Sequence, residues 1–434
     1  MPHGHEHQAY IACGFENRQV VKSKLMEAER TFPEDLLEAI LSRLRVRQLL
    51  QLRCISKLWC SKIDKGSFIQ RHYQTQHDML HQEDAIPLFC DKPSVFGLDE
   101  DPVQFYIVSK KLDNAILCLT PDLNRDSSRD FVGKKELFNS LICAGVVNGV
   151  ALLHWKGEYF GLWNPATREF KSIPHPRPNN PDNAKEGIAN FLGFGFDFKH
   201  NDFKVIRSIE WMIRLEDDWE RTYIYEMYSL RSNSWKSLET PPSVPCHCLY
   251  MRETVTDGYF NGVHYWPASE MDDTFTSREF YMFTFNFSTD VVKLVDPPPR
   301  VRGEGPKWEW TVGKYKEFLA AIFTGRNEED NECVFQIWVV TKFDDDDPAV
   351  PVSWQNLFTV GPLPAFDGLW FNAFLTENDL LLTVQGGEGA TETVGGFECA
   401  LYSRTTGALK RMGVGLGNCL RYVESLYCFH KKNE

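Results

Sequence analysis

Apolar and polar residues alternate with two different periods along this chain, and the change between them divides it. In residues 34–44 the apolar positions are Leu36, Leu37, Ile40, Leu41 and Leu44, with steps of one, three and four. That spacing draws one stripe along a helix. Pro33 suits the first turn of such a helix, where its missing N–H costs nothing, and Thr31 can cap it. Val46, Leu49, Leu50 and Leu52 form a second stripe. Leu58, Trp59 and Ile63 mark a third short helix, and Gly66-Ser67 interrupts the pattern before Phe68 and Ile69. A helical unit of about 40 residues cannot bury all these leucines by itself. The stripe therefore has a partner, either another protein or the rest of this chain.

From about residue 87 the period falls to that of strands. Short runs of Val, Ile, Phe, Tyr and Trp are punctuated by Gly, Pro, Asn and Asp. A weak unit recurs, in which a strand, a small polar turn and a strand with a bulky residue follow one another. Copies stand at 162–170, 228–235, 285–291 and 402–409, and a degenerate one with a long acidic insert spans 337–354. A further hairpin precedes each copy, at 149–155, 191–209, 262–267, 318–324 and 369–375. The spacing, roughly 50 to 65 residues, suits propeller blades. Leftover strands at 87–120 and 421–429 close the ring if the two chain ends share a blade, which removes the open edges of the sheet. The expected architecture is α+β and multidomain: a small three-helix module, then a large all-β domain that is a propeller of about six blades. A stacked sandwich is the alternative.

Composition excludes several classes. The 434 residues are 43% hydrophobic, ample for a core, and no apolar run reaches the ~20 residues of a membrane span. The first ten residues lack the basic and apolar regions of a signal peptide. The net charge of −13 disfavours nucleic acid and anionic membrane as partners. The charge is uneven: residues 1–80 carry 12 Lys+Arg and 9 Asp+Glu, leaving 35 against 51 for residues 81–434. The acidic part suits a basic partner, and equally suits a large domain that must stay in solution. Twelve scattered cysteines without a framework read as reduced thiols of a cytoplasmic or nuclear protein.

Motifs for catalysis are missing. There is no Gly-x-Ser-x-Gly elbow, phosphate-binding loop or His-Glu-x-x-His pair. The glycine-rich segment 386–396 leads into a strand rather than a helix, so it reads as a hairpin loop. Cys246-His247-Cys248 lacks a second ligand pair, His3, His5 and His7 lie in a polar tail, and the aspartates 344–347 lack calcium-loop spacing. No metal and no cofactor are called for.

One segment carries a resemblance. Phe32-Pro33-Glu34-Asp35-Leu36-Leu37 through Leu44, followed by Leu49-Leu50-Gln51-Leu52-Arg53-Cys54-Ile55-Ser56-Lys57-Leu58-Trp59 and Phe68-Ile69-Gln70-Arg71-His72, resembles the F-box. It departs from the usual pattern at Phe32, where Leu is common, and at Arg45, where Pro often stands. Asn148-Gly149, Trp163-Asn164-Pro165-Ala166-Thr167-Arg168, Gly193-Phe194-Gly195-Phe196-Asp197 with Asp202-Phe203-Lys204, and 228–235 resemble the F-box-associated domain of plant F-box proteins. Their order is most similar to the S-locus F-box group, which recognises secreted style ribonucleases. Residues 1–30 read as a polar extension with helix formers over 16–30, and the resemblance implies an F-box over 31–80 and a target-reading β domain over 81–434. It implies a non-catalytic receptor subunit of an SCF-type ubiquitin ligase, joined through a helical adaptor to a cullin scaffold. The expected adaptor contacts are Phe32, Pro33, Leu36, Leu37, Ile40, Leu41, Leu44, Leu49, Leu52 and Trp59, with Trp59 also suited to internal packing. The target is unspecified. A basic style ribonuclease, another protein target, and a scaffold role outside a ligase all fit, whereas an enzymatic or sugar-binding propeller is disfavoured by the missing motifs.

Overall fold

The computed structural model describes residues 33–80, 86–91, 105–108, 115–119, 142–155, 159–176, 187–214, 219–239, 249–250, 258–271, 278–299, 308–327, 331–364, 366, 368–385, 397–412 and 416–429. Phe32, Thr31, the histidines of the tail, Cys246-His247-Cys248 and the segment 386–396 lie outside them.

The helical module has four helices among the described residues, one more than the sequence suggests: α1 (Glu34–Leu41), α2 (Val46–Arg53), α3 (Lys57–Ile63) and α4 (Gly66–Leu80). Pro33 caps α1 rather than opening it, and its carbonyl accepts the amide of Leu37 at 3.1 Å. The Ser56 hydroxyl caps α3 by accepting the Trp59 amide at 3.2 Å. Gly66, read as a break, instead begins the longest helix, because glycine is tolerated in a first turn where few intrahelical bonds are yet made. Leu37, Leu41, Val46, Leu49, Trp59, Ile63, Phe68 and Ile69 form the core of the module.

The described strands form six antiparallel sheets, the blades of a β-propeller. Blades 2 to 6 use consecutive strands. Blade 2 comprises Ile142–Val147, Val150–Trp155, Tyr159–Asn164 and Glu169–Ile173. Blade 3 comprises Ile188–Asp197, Asp202–Arg214, Trp219–Ser229 and Ser234–Leu238. Blade 4 is centred on Val263–Met271, Arg278–Asn286 and Val291–Val295, with Leu249–Tyr250 and Tyr259–Phe260 at its inner side. Blade 5 runs from Trp308–Tyr315 to Pro351–Pro364, and blade 6 from Leu369–Phe374 to Ala408–Arg411.

Blade 1 is composite. Its outer strands are Ile86–Asp91, Phe105–Val108 and Ala115–Leu119, and its innermost strand is Leu416–Tyr422 from the other end of the chain. Ile86 pairs with Tyr422 and Leu88 with Leu420. Inner strands touch around the whole ring, and Leu416–Tyr422 meets both Leu369–Phe374 and Ile142–Val147. The shared closing blade is the one expected, but its strand ends at Tyr422, and residues 423–428 leave the sheet for another use.

Each seam between blades has its own apolar filling. Phe160, Leu162, Phe194 and Phe203 pack between blades 2 and 3, and Trp266, Phe283 and Phe285 between 3 and 4. Leu319 and Val340 meet blade 4, Phe335 and Leu382 join blades 5 and 6, and Cys399 and Cys419 touch at the closing seam. The tight turns at 148–149, 198–201, 261–262 and 316–317 share one end of the ring, and α4 crosses that end.

Candidate functional site

The two-residue width of the α1 stripe is resolved by its packing. Leu37 and Leu41, four apart, face the module core, whereas Leu36 and Ile40, also four apart, are 46% and 45% exposed. Leu58 on α3 is 51% exposed beside the fully buried Trp59. Pro33 is exposed as well. Leu44 and Leu52 are half-buried against the core cluster. Of the expected contact set, Pro33, Leu36 and Ile40 are accessible, while Leu37, Leu41, Leu49 and Trp59 are interior. They pack in the module core behind that face. Leu58, outside the expected set, is exposed too, and its place next to an inward Trp59 on a short helix signals an outward side chain.

Polar contacts hold this face in shape. Lys62 pairs with Glu34 at 3.1 Å and Arg71 with Glu38 at 2.6 Å, tying α3 and α4 to α1. The hydrogen bond from Lys62 and its charge draw the Glu34 carboxyl below its ordinary pKa. His72 is buried, with Nε2 2.8 Å from the Leu44 carbonyl, and burial lowers its pKa. It fills the space under the α1–α2 turn.

The module is seated on the propeller by the chain's end. Leu426 is inserted into the core of the module, with Tyr427 and Ala166 beside it. Asn164, fully buried, donates from Nδ2 to the carbonyls of Ser425 at 3.0 Å and Tyr427 at 2.8 Å, while its Oδ1 accepts the Ala166 amide at 3.0 Å. Glu169 accepts the Phe429 amide at 2.8 Å and the Cys428 thiol at 2.6 Å. Burial, reinforced by Glu169, pushes that thiol up to about 12. Gly149 is required here. It has φ +72°, and a Cβ would lie 2.4 Å from that of Ser425 and 2.5 Å from the Val423 carbonyl. Two sequence landmarks, Asn148-Gly149 and the Trp-Asn-Pro-Ala-Thr-Arg run, thus exist to hold the terminal segment that carries the module.

A third landmark joins blades 3 and 4. Lys204 Nζ donates to Asp197 at 2.8 Å, to Asp290 at 2.7 Å and to the Phe287 carbonyl at 2.6 Å. Burial alone would raise the Asp197 pKa, but the hydrogen bonds from Lys204 and His200 outweigh it and hold the carboxyl at about 2. Gly195 lies under Phe287, where a Cβ would come within 2.1 Å of the ring. The acidic loop 344–350 is likewise committed. Asp344 accepts the amides of Asp346 and Asp347, Lys342 reaches Asp345, and Lys293 pairs with Asp347.

These features agree with two family models. One, the F-box domain, matches residues 31–71. The other, the F-box associated beta propeller domain, matches residues 103–427, most of the chain. The chain belongs to the F-box-associated β-propeller family. An F-box protein of Arabidopsis thaliana is 25% identical to it over 279 residues, covering 64% of this chain and 63% of the relative. The F-box protein CPR1 of the same plant is 28% identical over 215 residues, covering 49% and 46%. The chain therefore spans about half to two thirds of the length of these relatives. Among solved structures, an oligogalacturonate lyase in complex with manganese aligns with a TM-score of 0.37 at 10% identity, covering 75% of this chain and 78% of that one. So slight a likeness carries no argument about activity. The helical module is the F-box, and the exposed Pro33, Leu36, Ile40 and Leu58 are its candidate docking residues.

Proposed function

We propose that this F-box protein is the substrate-recognition subunit of an SCF-type ubiquitin ligase, with residues 31–80 binding a helical adaptor and residues 81–434 reading a target protein. The carrying observation is the outward pair Leu36 and Ile40 on an F-box whose interior is already filled. Apolar side chains left exposed beside a complete core suit an interface. The adaptor would link the chain to a cullin scaffold, and catalysis would reside on another subunit. This chain contributes by fixing the distance and orientation of the target. No helix among the described residues is long and apolar enough to cross a membrane. We place the complex in the cytoplasm or nucleus on the scattered cysteines, which read as reduced thiols.

The seat of the F-box supports a division of the propeller into two ends. The tight inner turns face the F-box, so the opposite ends of the same strands, beginning at 142, 188, 308 and 369, point away from it. That far end is where we place the target. The acidic balance of residues 81–434 favours a basic protein, steered electrostatically. A style ribonuclease, as in S-locus self-incompatibility, is one member of that class.

Co-expression with an adaptor tests the F-box role. Leu36→Asp with Ile40→Asp should abolish co-purification without unfolding the chain, because both positions are exposed. Undiminished co-purification overturns the assignment. A pull-down by the full chain at low and high salt tests the target class, and salt-insensitive capture of only acidic or neutral proteins overturns the basic one.

A further inference from the structure

Helix α4 crosses the end of the ring without filling it. Between the helix and the inner turns lies a cavity of about 430 Å³, in the range of small-molecule sites and too large for a single bridging water. Its wall combines residues of α4 with contributions from blades 1 to 5. Asn148, Asn201 and Asn261 line it from three successive inner turns. Their φ values of 49°, 53° and 49° lie in the left-handed region, which accounts for asparagine at these positions.

Arg421 has no such explanation. It stands on the innermost, ring-closing strand and lines the same cavity. Its Nε is shut off from solvent and has no hydrogen-bond partner among the described residues. The carboxylates in the same wall are placed elsewhere: Asp78 accepts from Gln74 at 2.7 Å and lies 3.8 Å from His77, and Glu317 is exposed. A half-buried guanidinium with no carboxylate in ion-pair range among the described residues is costly, and its planar fork of donors matches an oxyanion.

We infer that this cavity binds a small molecule bearing an oxyanion, a phosphate or a carboxylate, anchored by the Arg421 guanidinium and enclosed by α4. The three asparagines line the rest of the cavity, and Phe198 and Tyr259 offer a ligand apolar walls. Such a ligand would touch the F-box and the propeller together, and its binding would stiffen the seat between them. The inference does not depend on the ligase role. It adds a ligand where the sequence called for none.

Thermal unfolding of the full chain, at constant ionic strength, tests it with two probes, inorganic phosphate and citrate. A saturable rise in the midpoint of a few degrees is expected at probe concentrations well above Kd. A response to phosphate alone identifies a phosphate ligand, and one to citrate alone a carboxylate. Arg421→Gln should weaken the apparent affinity at least tenfold. Gln70→Trp, at an exposed α4 position in the cavity wall, should do so by filling the space, which keeps the test open if Arg421→Gln does not fold. No rise with either probe overturns the proposal. An equal rise in the variants does the same and leaves an adventitious ion only.

Discussion

The F-box and the propeller obey the same rule of burying apolar stripes, yet they end in opposite conditions. In the propeller each stripe meets the next blade, and the chain's two ends share blade 1, so the ring is closed. In the F-box, short helices carry apolar residues on more sides than the module can cover. Leu37 and Leu41 are buried while Leu36 and Ile40 remain outside. The difference teaches where to look for partners. A stripe wider than the core that receives it marks a candidate surface for another molecule, whereas a stripe matched by its neighbour marks stability.

The largest test of this contrast is removal of residues 413–434. Deletion takes away the closing strand and the segment seated in the F-box, so the cooperative thermal transition should be lost by circular dichroism. A surviving cooperative ring would break the comparison. Next, Leu36→Asp with Ile40→Asp should weaken adaptor binding by several kcal/mol (order of magnitude) in calorimetry while leaving the melting midpoint nearly unchanged. Leu41→Ala should do the reverse, costing about 2–5 kcal/mol of stability by leaving a cavity. If both classes of variant act alike, the division into inward and outward stripes fails.

Smaller effects sharpen the propeller side. Lys204→Met removes the buried cation shared by Asp197 and Asp290, leaving Asp197 with His200 and Asp290 with Lys236, and denaturant unfolding should show a loss of about 3 kcal/mol. The pH dependence of the same clamp is smaller still. Because the Asp197 pKa is held at about 2 in the fold against an ordinary 3.8, its stabilisation is complete above pH ~4. It is then lost as the pH falls through about 2, for a total of about 2 kcal/mol. Stability measured from pH 5 downward should fall less in Asp197→Asn than in the parent chain.

Much of the architecture was legible because it is locally encoded. Helical spacing around Leu37, Leu41 and Leu49 and the recurring strand-turn-strand unit depend on residues a few positions apart. The fourth helix was hidden because Gly66-Ser67 looks like a stop and the following Gln- and His-rich stretch has few apolar residues. His72 faces inward, where its Nε2 meets the Leu44 carbonyl 28 positions away. The role of 423–429 was hidden for another reason. Its partners Asn164 and Glu169 lie some 260 positions away in the chain, and no local pattern encodes such a contact. The motif resemblance marked those residues without saying what they hold.

By itself, then, the amino-acid order determined the two periods, the helical module, the repeated blades and the joining of chain ends, since each follows from short-range spacing or from edges that must be closed. Only the tertiary structure decided which leucines face outward, how the terminal segment fastens the F-box to the ring, and that Arg421 lines a cavity without a counter-ion among the described residues. Those are properties of surfaces brought together from distant parts of the chain, and they exist only once the ring has formed.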